Sequence, residues 1–280
     1  MIKIGLIGTG NWGKNYIHTI KNISDTELCW TATRNYKDVL NLCDAVIIAT
    51  PSETHYQIVK DCLNSNKDVL VEKPFTKNSK EALELVNLAN EKNKILMVGH
   101  LFLYHSGIKK LKELIDDKYF GDIWEIHSKR LSMNNGIDAL WEMSPHDFYI
   151  HKYFFNIEFN HTKTRIYGSS YHRYIMLEYP EHDRFGRIKS SIELCTLYPK
   201  KIRQIAIIGN EKTALFDDTQ IDKLKIYNYN NEEESIFLEN RDPLENQCQH
   251  FLNCITNRTN PISGGIEGYE NIKIIEKLCL

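Results

Sequence analysis

In the first hundred residues short apolar runs alternate with helical patterns, and that alternation restricts the fold more than any other feature. The runs at 2–7, 28–32, 45–49, 69–71 and 95–98 are β-branched or apolar and bounded by Gly, Pro, Asn or Asp, so they read as strands. Between them, residues 51–63 open with a capping pattern in which Thr50 accepts from the backbone of Glu53 and Pro51 takes the first helical position. Residues 79–91 carry Ala82, Leu85, Val86 and Ala89 at i, i+3, i+4, i+7 spacing, one face of a helix. Strand–helix repetition of this kind predicts parallel βαβ units.

Gly8-Thr9-Gly10-Asn11-Trp12-Gly13 follows the first strand directly and opens a helix. Glycines there let the backbone approach a pyrophosphate held at the helix N-terminus, which makes Gly8, Thr9, Gly10, Asn11 and Trp12 candidate dinucleotide-binding residues. A site specific for NAD usually carries an acidic residue about 20 positions on, at the end of the second strand, to bind the ribose. Here that place reads Thr33-Arg34. A hydroxyl and a guanidinium suit a 2′-phosphate that a carboxylate would repel, so NADP(H) is the expected cofactor and NAD(H) the alternative. Only ten residues separate Arg34 from Ala45, too few for a further helix and strand. The expectation is a shortened Rossmann domain, one βα unit missing, with a more open adenine side.

Glu72-Lys73-Pro74 lies at the carboxyl end of a buried strand, where ligands sit in open α/β sheets. A lysine there could hydrogen-bond a reacting hydroxyl and assist its proton loss; the bland alternative is a solvated surface charge. A second cluster, Trp141-Glu142-Met143-Ser144-Pro145-His146-Asp147, reads as a loop-to-helix transition with Pro145 at the first helical position and His146 in the first turn. His146 could shuttle a proton near neutral pH and Glu142 could orient its ring, against the alternative of a structural helix-cap histidine.

After about residue 103 the pattern changes. Helices are predicted at 108–116 and 145–155, strands at 163–171, 173–179, 186–198, 202–208 and 212–216, and terminal helices near 244–255 and 269–278. Residues 228–234 read as a hairpin loop. Consecutive strands predict a large open antiparallel sheet. The expected organisation is α/β, with a dinucleotide-binding domain at 1–103 and a substrate-binding and oligomerisation domain at 104–280.

Thirty-five Lys+Arg against 37 Asp+Glu give a net charge of −2, which offers nothing to a nucleic acid. Apolar runs fall far below the ~18 residues of a membrane span, and no signal-peptide pattern opens the chain, so a cytoplasmic protein is expected. Seven cysteines without a C-x-x-C, and histidines five apart at closest, argue against disulfides and against a metal site.

Taken together the motifs resemble the glucose-fructose oxidoreductase and inositol dehydrogenase (Gfo/Idh/MocA) family. The glycine motif, Ala49-Thr50-Pro51-Ser52-Glu53-Thr54-His55, Glu72-Lys73-Pro74 and Pro145-His146-Asp147 stand in the family's order. The segments 99–104, 139–141, 199–203, 216–218 and 249–251 look like its sugar-nucleotide 3-dehydrogenase branch. The resemblance implies hydride transfer between NAD(P) and C3 of a nucleotide-linked sugar, with Lys73 and His146 as the catalytic pair and Glu142 beside them. It also implies that Gly8, Gly10, Thr50, Pro51, His55, Glu72 and Lys73 line the cofactor, that Tyr104 and Arg130 contact substrate, and that the C-terminal sheet builds a homodimer or tetramer. Glu142 stands where the family often has Asp. The rival reading, motivated by the shortened adenine side, is a non-catalytic sugar-nucleotide binder or regulator.

Overall fold

Five parallel strands, β1 (Ile2–Ile7), β2 (Thr26–Ala32), β3 (Ala45–Ile48), β4 (Asp68–Glu72) and β5 (Leu96–Gly99), form one sheet in the order β2-β1-β3-β4-β5 in the computed structural model. The helices α1 (Asn11–Asn22), α2 (His55–Asn64) and α3 (Ser79–Glu91) connect them. Residues 1–134, 136–157, 159, 162–181 and 186–279 are described. The chain divides into two compact units, Met1–Tyr104 with Arg241–Glu276 and His105–Asn240 with Lys277–Leu280.

Every residue of β3 and β4 is buried, which explains their uninterrupted apolar runs. Only a six-residue 3-10 turn, Lys37–Leu42, separates β2 from β3. β2 is therefore the sheet edge, and its half-exposed pattern fits the missing βα unit expected from the spacing. The capping box at Thr50 does not form. Pro51 is extended (φ −59°, ψ 140°), Ser52–Thr54 make a 3-10 turn, and α2 starts at His55. Thr54 instead donates its hydroxyl to the Pro51 carbonyl at 2.7 Å. α3 matches its predicted bounds, and its cap is Asn78, which accepts from the backbone N–H of Glu81.

The second unit contains α4 (Ser106–Asp116), β6 (Ile123–Met133), α5 (Ala139–Phe155), β7 (Lys163–Ser169), β8 (His172–Glu178), β9 (Lys189–Cys195), β10 (Leu197–Gly209), β11 (Lys212–Asp217), β12 (Leu224–Asn228) and β13 (Glu233–Ser235). Its eight-stranded sheet runs β13-β12-β11-β10-β6-β9-β8-β7. β6 pairs parallel with β9, so the sheet is mixed and not antiparallel throughout as predicted. β6 itself escaped prediction because its inward positions include Ser128 and Arg130 beside Ile126, which breaks the apolar alternation. The hairpin at 228–234 forms between β12 and β13.

α5 also departs from expectation. Asp138 caps it by accepting from the backbone of Trp141 at 3.1 Å, so Pro145 lies inside the helix and not at its start. Proline there withholds an N–H from the carbonyl four residues back; the cap and the burial of Ala139, Leu140 and Met143 offset that cost.

The terminal helices α6 (Pro243–Asn257) and α7 (Gly265–Cys279) were expected in the second domain, yet residues 241–276 belong to the first unit. Val98 donates its N–H to the Ser263 carbonyl at 2.8 Å, and Arg258 reaches both carboxylate oxygens of buried Asp68 at 2.9 and 3.1 Å. Helical periodicity reveals that a face is apolar but not which sheet it covers. Among the described residues, no helix is long and apolar enough to cross a membrane.

Candidate active site

The glycine motif joins β1 to α1, and two of its three glycines, Gly8 and Gly13, have a steric reason. Gly8 has φ +100°, and a Cβ there would stand 2.4 Å from the Ala49 carbonyl oxygen. A Cβ on Gly13 would stand 1.9 Å from the Gly8 oxygen, so α1 packs against β1 only because that position is bare. Gly10, at the start of α1, meets nothing within 4 Å of its Cβ position. No side chain caps α1 and no acidic residue stands in its first turn. A bare, uncapped helix N-terminus with open space before it fits a pyrophosphate. Asn11 and the 44%-exposed Trp12 flank that terminus. Thr33 and Arg34 are exposed just past the end of β2, and that strand's acidic residue, Glu27, lies at its opposite end.

At the carboxyl end of β4, Lys73 is half-buried and its neighbour Glu72 is buried. Tyr16 of α1 donates its hydroxyl to Glu72 Oε1 at 2.7 Å, and Gln247 of α6 donates Nε2 to that hydroxyl at 2.8 Å. Burial first and the Glu72 charge second push the Tyr16 phenol well above its ordinary pKa, so it keeps the proton it donates. Gly99 leaves room for the carboxylate, since a Cβ there would stand 3.1 Å from Glu72 Oε1. Thus α1, β4, β5 and α6 together hold the residue preceding Lys73. His100, fully buried, has its pKa lowered to about 3 by desolvation and then by the Lys73 ammonium, so it stays neutral.

His55 is 1% exposed, with Nδ1 2.9 Å from the Pro74 carbonyl and Nε2 2.9 Å from the Thr50 carbonyl. Both acceptors are backbone, so this ring braces the loop after β3 against the cis Lys73–Pro74 turn instead of facing a cofactor. Burial lowers its pKa, opposed by the two carbonyls. Thr50 and Pro51 lie on the braced loop, half-buried and exposed respectively. Tyr104, expected to touch substrate, is 1% exposed; its hydroxyl pairs with Ser263 Oγ at 2.9 Å and its ring packs 5.4 Å from that of His250. It anchors the C-terminal segment in the first unit.

In the second unit, half-buried His146 and Glu142 are four residues apart in α5, and so on one face of the helix. Asp147, 1% exposed, is held bidentately by Arg130 of β6, Nε–Oδ2 2.9 Å and Nη2–Oδ1 3.3 Å. Arg130 therefore fixes the residue next to His146 rather than reaching a substrate. One turn on, buried His151 meets Ser128, Tyr179 and Ser190, and burial lowers its pKa to about 4. Among the described residues no group of three His, Cys, Asp or Glu side chains is arranged to hold a metal ion.

Sequence reasoning missed Tyr16, Gln247, His100 and Asp147. Asp147 had the clearest signal, an acidic residue beside a candidate histidine. Tyr16 and Gln247 are 231 positions apart, and no local pattern links them.

Residues 26–100 match the oxidoreductase family with an NAD-binding Rossmann fold, Gfo/Idh/MocA. The resemblance read from the motifs therefore holds. The UDP-N-acetylglucosamine 3-dehydrogenase of Acidithiobacillus ferrooxidans is 26% identical over 166 residues, 52% of this chain and 52% of that protein. The inositol 2-dehydrogenase of Rhodococcus jostii is 38% identical over 85 residues, 30% of this chain and 23% of that one. The chain spans about half the length, or less, of the curated relatives it matches. In three dimensions, the Acidithiobacillus ferrooxidans UDP-N-acetylglucosamine 3-dehydrogenase superposes with a TM-score of 0.87 at 20% identity, over 99% of this chain and 96% of that one. The aldose-aldose oxidoreductase of Caulobacter crescentus gives 0.87 at 12% identity, over 99% and 96%. At such identities the structures establish a shared fold.

Proposed function

We propose that this chain, whose nucleotide-binding unit carries the Rossmann fold of the Gfo/Idh/MocA oxidoreductase family, is an NAD(P)-dependent oxidoreductase acting at C3 of a nucleotide-linked sugar. The observation that carries the reading is the bare, uncapped α1 N-terminus at Gly10, in the same unit as a Lys73 whose neighbour Glu72 is fixed by Tyr16 and Gln247. The C3 specificity is supported by the named function of the Acidithiobacillus ferrooxidans relative.

A bound nicotinamide dinucleotide supplies the hydride acceptor or donor. The backbone N–H groups at the start of α1 hold its pyrophosphate. Arg34, with Thr33, binds a 2′-phosphate, which makes NADP(H) the preferred form and NAD(H) the weaker. Lys73 donates a hydrogen bond to the reacting sugar oxygen and stabilises the charge that builds there as the proton leaves. In the second unit His146 is the acid–base candidate, a proton acceptor in oxidation and a donor in reduction, with Glu142 on the same helix face steadying its charged ring.

We place the enzyme in the cytoplasm, as a homo-oligomer formed through the outer face of the eight-stranded sheet. Tyr167, Tyr174 and Met176 are 52%, 41% and 46% exposed and occupy alternate positions on β7 and β8, an apolar surface suited to a second copy.

Thermal-shift titration with NADP(H) and NAD(H) tests the cofactor half of the reading. NADP(H) should raise the transition more than NAD(H) does. No shift with either at millimolar concentration would leave the chain a sugar-nucleotide binder without a cofactor, the reading that the exposed β2 edge favours. Turnover of UDP-N-acetylglucosamine with the preferred cofactor then tests the substrate.

A further inference from the structure

Thr33, Arg34 and Asn35 are all exposed, and this short loop after β2 is suspended between two fixed points. At the near end Ala32, the last residue of β2, accepts from the backbone N–H of Gly8 at 2.7 Å, which ties the loop to the glycine motif. At the far end Tyr36 donates its hydroxyl to Oδ2 of Asp61 in α2 at 2.8 Å, and Lys37 Nζ stands 2.9 Å from the same oxygen. Gln57, one helical turn before Asp61, donates Nε2 to its Oδ1 at 2.9 Å. Between the two points Asn35 takes a left-handed φ of +52°, which asparagine tolerates better than most side chains, so the chain turns directly after Arg34.

The segment that follows gives the loop little apolar anchorage. Lys37–Leu42 is a 3-10 turn with Leu40 as its buried residue, where a full βα unit would bring a helix with a whole apolar face. The polar seat on α2 takes that place. Asp61 is 17% exposed and Lys37 66%, so the lysine pair alone contributes little and the half-buried Tyr36 hydroxyl makes the firmer contact. Burial would raise the Asp61 carboxyl, but hydrogen bonds from Lys37, Tyr36 and Gln57 outweigh it and hold the group below its usual range. Burial first and Asp61 second push the Tyr36 phenol well above its ordinary value, so it keeps the proton it donates. Lys37 offsets the Asp61 charge, so the brace sets no bare carboxylate against an incoming phosphate. The same helix begins with His55, whose ring holds the Thr50 and Pro74 carbonyls. α2 thus fixes the loops after β2, β3 and β4 at once.

We propose that Tyr36 and Asp61 are positioning residues for the 2′-phosphate of NADP(H): their hydrogen bond fixes the far end of the 33–35 loop, so that Arg34 meets the phosphate already ordered. This rests on the NADP(H) reading above, and adds that the choice between the two cofactors is set in part from α2, by side chains that act through Arg34. A loop held at both ends has less freedom to lose on binding, and the gain falls only on the cofactor that carries the phosphate.

The test is calorimetric binding of adenosine 2′,5′-bisphosphate and adenosine 5′-monophosphate to the full chain, as wild type, Tyr36→Phe, Asp61→Leu, that double variant, and Arg34→Ala with and without Tyr36→Phe. Tyr36→Phe keeps the ring and removes the bond alone, so it serves even where Asp61→Leu lowers stability. Wild type should prefer the bisphosphate. Tyr36→Phe should weaken the bisphosphate about fivefold more than the monophosphate, the worth of one hydrogen bond. Asp61→Leu should do at least as much, and the double variant no more than Asp61→Leu, because the two residues act through one contact. Without Arg34, Tyr36→Phe should change nothing. Equal loss of both nucleotides in Tyr36→Phe would make the bond merely structural and overturn the inference, as would an effect that persists in the Arg34→Ala background. If Arg34→Ala abolishes the preference while Tyr36→Phe and Asp61→Leu leave it intact, the brace fails and the NADP(H) reading stands. A wild type with no preference for the bisphosphate overturns both.

Discussion

Replacing Arg130 with methionine keeps the length and apolar stem of the side chain and strips both hydrogen bonds from Asp147. That carboxylate is 1% exposed and receives them at 2.9 and 3.3 Å, so the variant strands a charge with no water to compensate it. Breaking one side of such a buried pair costs ~3–5 kcal/mol. For a protein of this size each kcal/mol moves the melting temperature by roughly 2–4 °C, so a fall of about 6–20 °C is expected. Removing both charges should behave differently. In Arg130→Met/Asp147→Leu the two apolar side chains face Leu194, which stands beside Arg130 in the β6–β9 register. The double variant should recover to within ~1–2 kcal/mol of wild type. Urea unfolding followed by tryptophan fluorescence reads the effect, Trp141 of α5 being one of the four tryptophans that report it. A loss below ~1 kcal/mol in Arg130→Met, or a double variant as unstable as the sum of the single ones, would refute the stranded-charge argument.

Lys73→Ala and His146→Ala should each lower turnover by ~10²–10⁴-fold with an unchanged circular dichroism spectrum, and a wild-type rate in either would remove that residue from the chemistry. Arg34→Ala should weaken NADP(H) by about tenfold or more while leaving NAD(H) nearly unchanged, measured as the ratio of the two dissociation constants; a parallel loss of both would mean that Arg34 does not read the 2′-phosphate. His100 and His151 are buried with pKa values lowered to about 3 and about 4, against ~6.5 in an unfolded chain. The unfolded state therefore binds more protons below that value, and stability should be full above pH ~6.5 and fall as the pH drops toward 4. A urea midpoint that stays level from pH 7.5 to 4.5 would contradict their buried, neutral state.

The nucleotide-binding half was legible because its strands are buried on both faces. Ala45 to Ile48 and Val69 to Val71 show no polar interruption, and the glycine motif places its steric demands within six consecutive residues. β6 was not legible, since a buried Arg130 looks like a surface residue until Asp147 is seen beside it. The same blindness to burial explains the reassignments. His55 and Tyr104 carry polar groups and sit near motif residues, but their partners include the Pro74 carbonyl and Ser263, 19 and 159 positions away, which sequence order does not bring near. Pro145 was read as a helix start because proline favours that position, whereas the cap is Asp138, one residue before α5 begins at Ala139.

The first unit is assembled from two stretches of chain separated by residues 105–240 of the second. Gln247, Arg258 and Ser263 complete contacts with Tyr16, Asp68 and Tyr104 that the N-terminal stretch cannot satisfy alone. On a ribosome, then, the part of the protein made first is finished last. β1 to β5 must wait, with Asp68 and Tyr16 lacking their final partners, while some 136 intervening residues emerge and are able to fold ahead of them. A fragment ending near residue 104 would lack those contacts for good, and a nascent chain arrested before residue 241 should be far more sensitive to protease in its N-terminal third than in its middle.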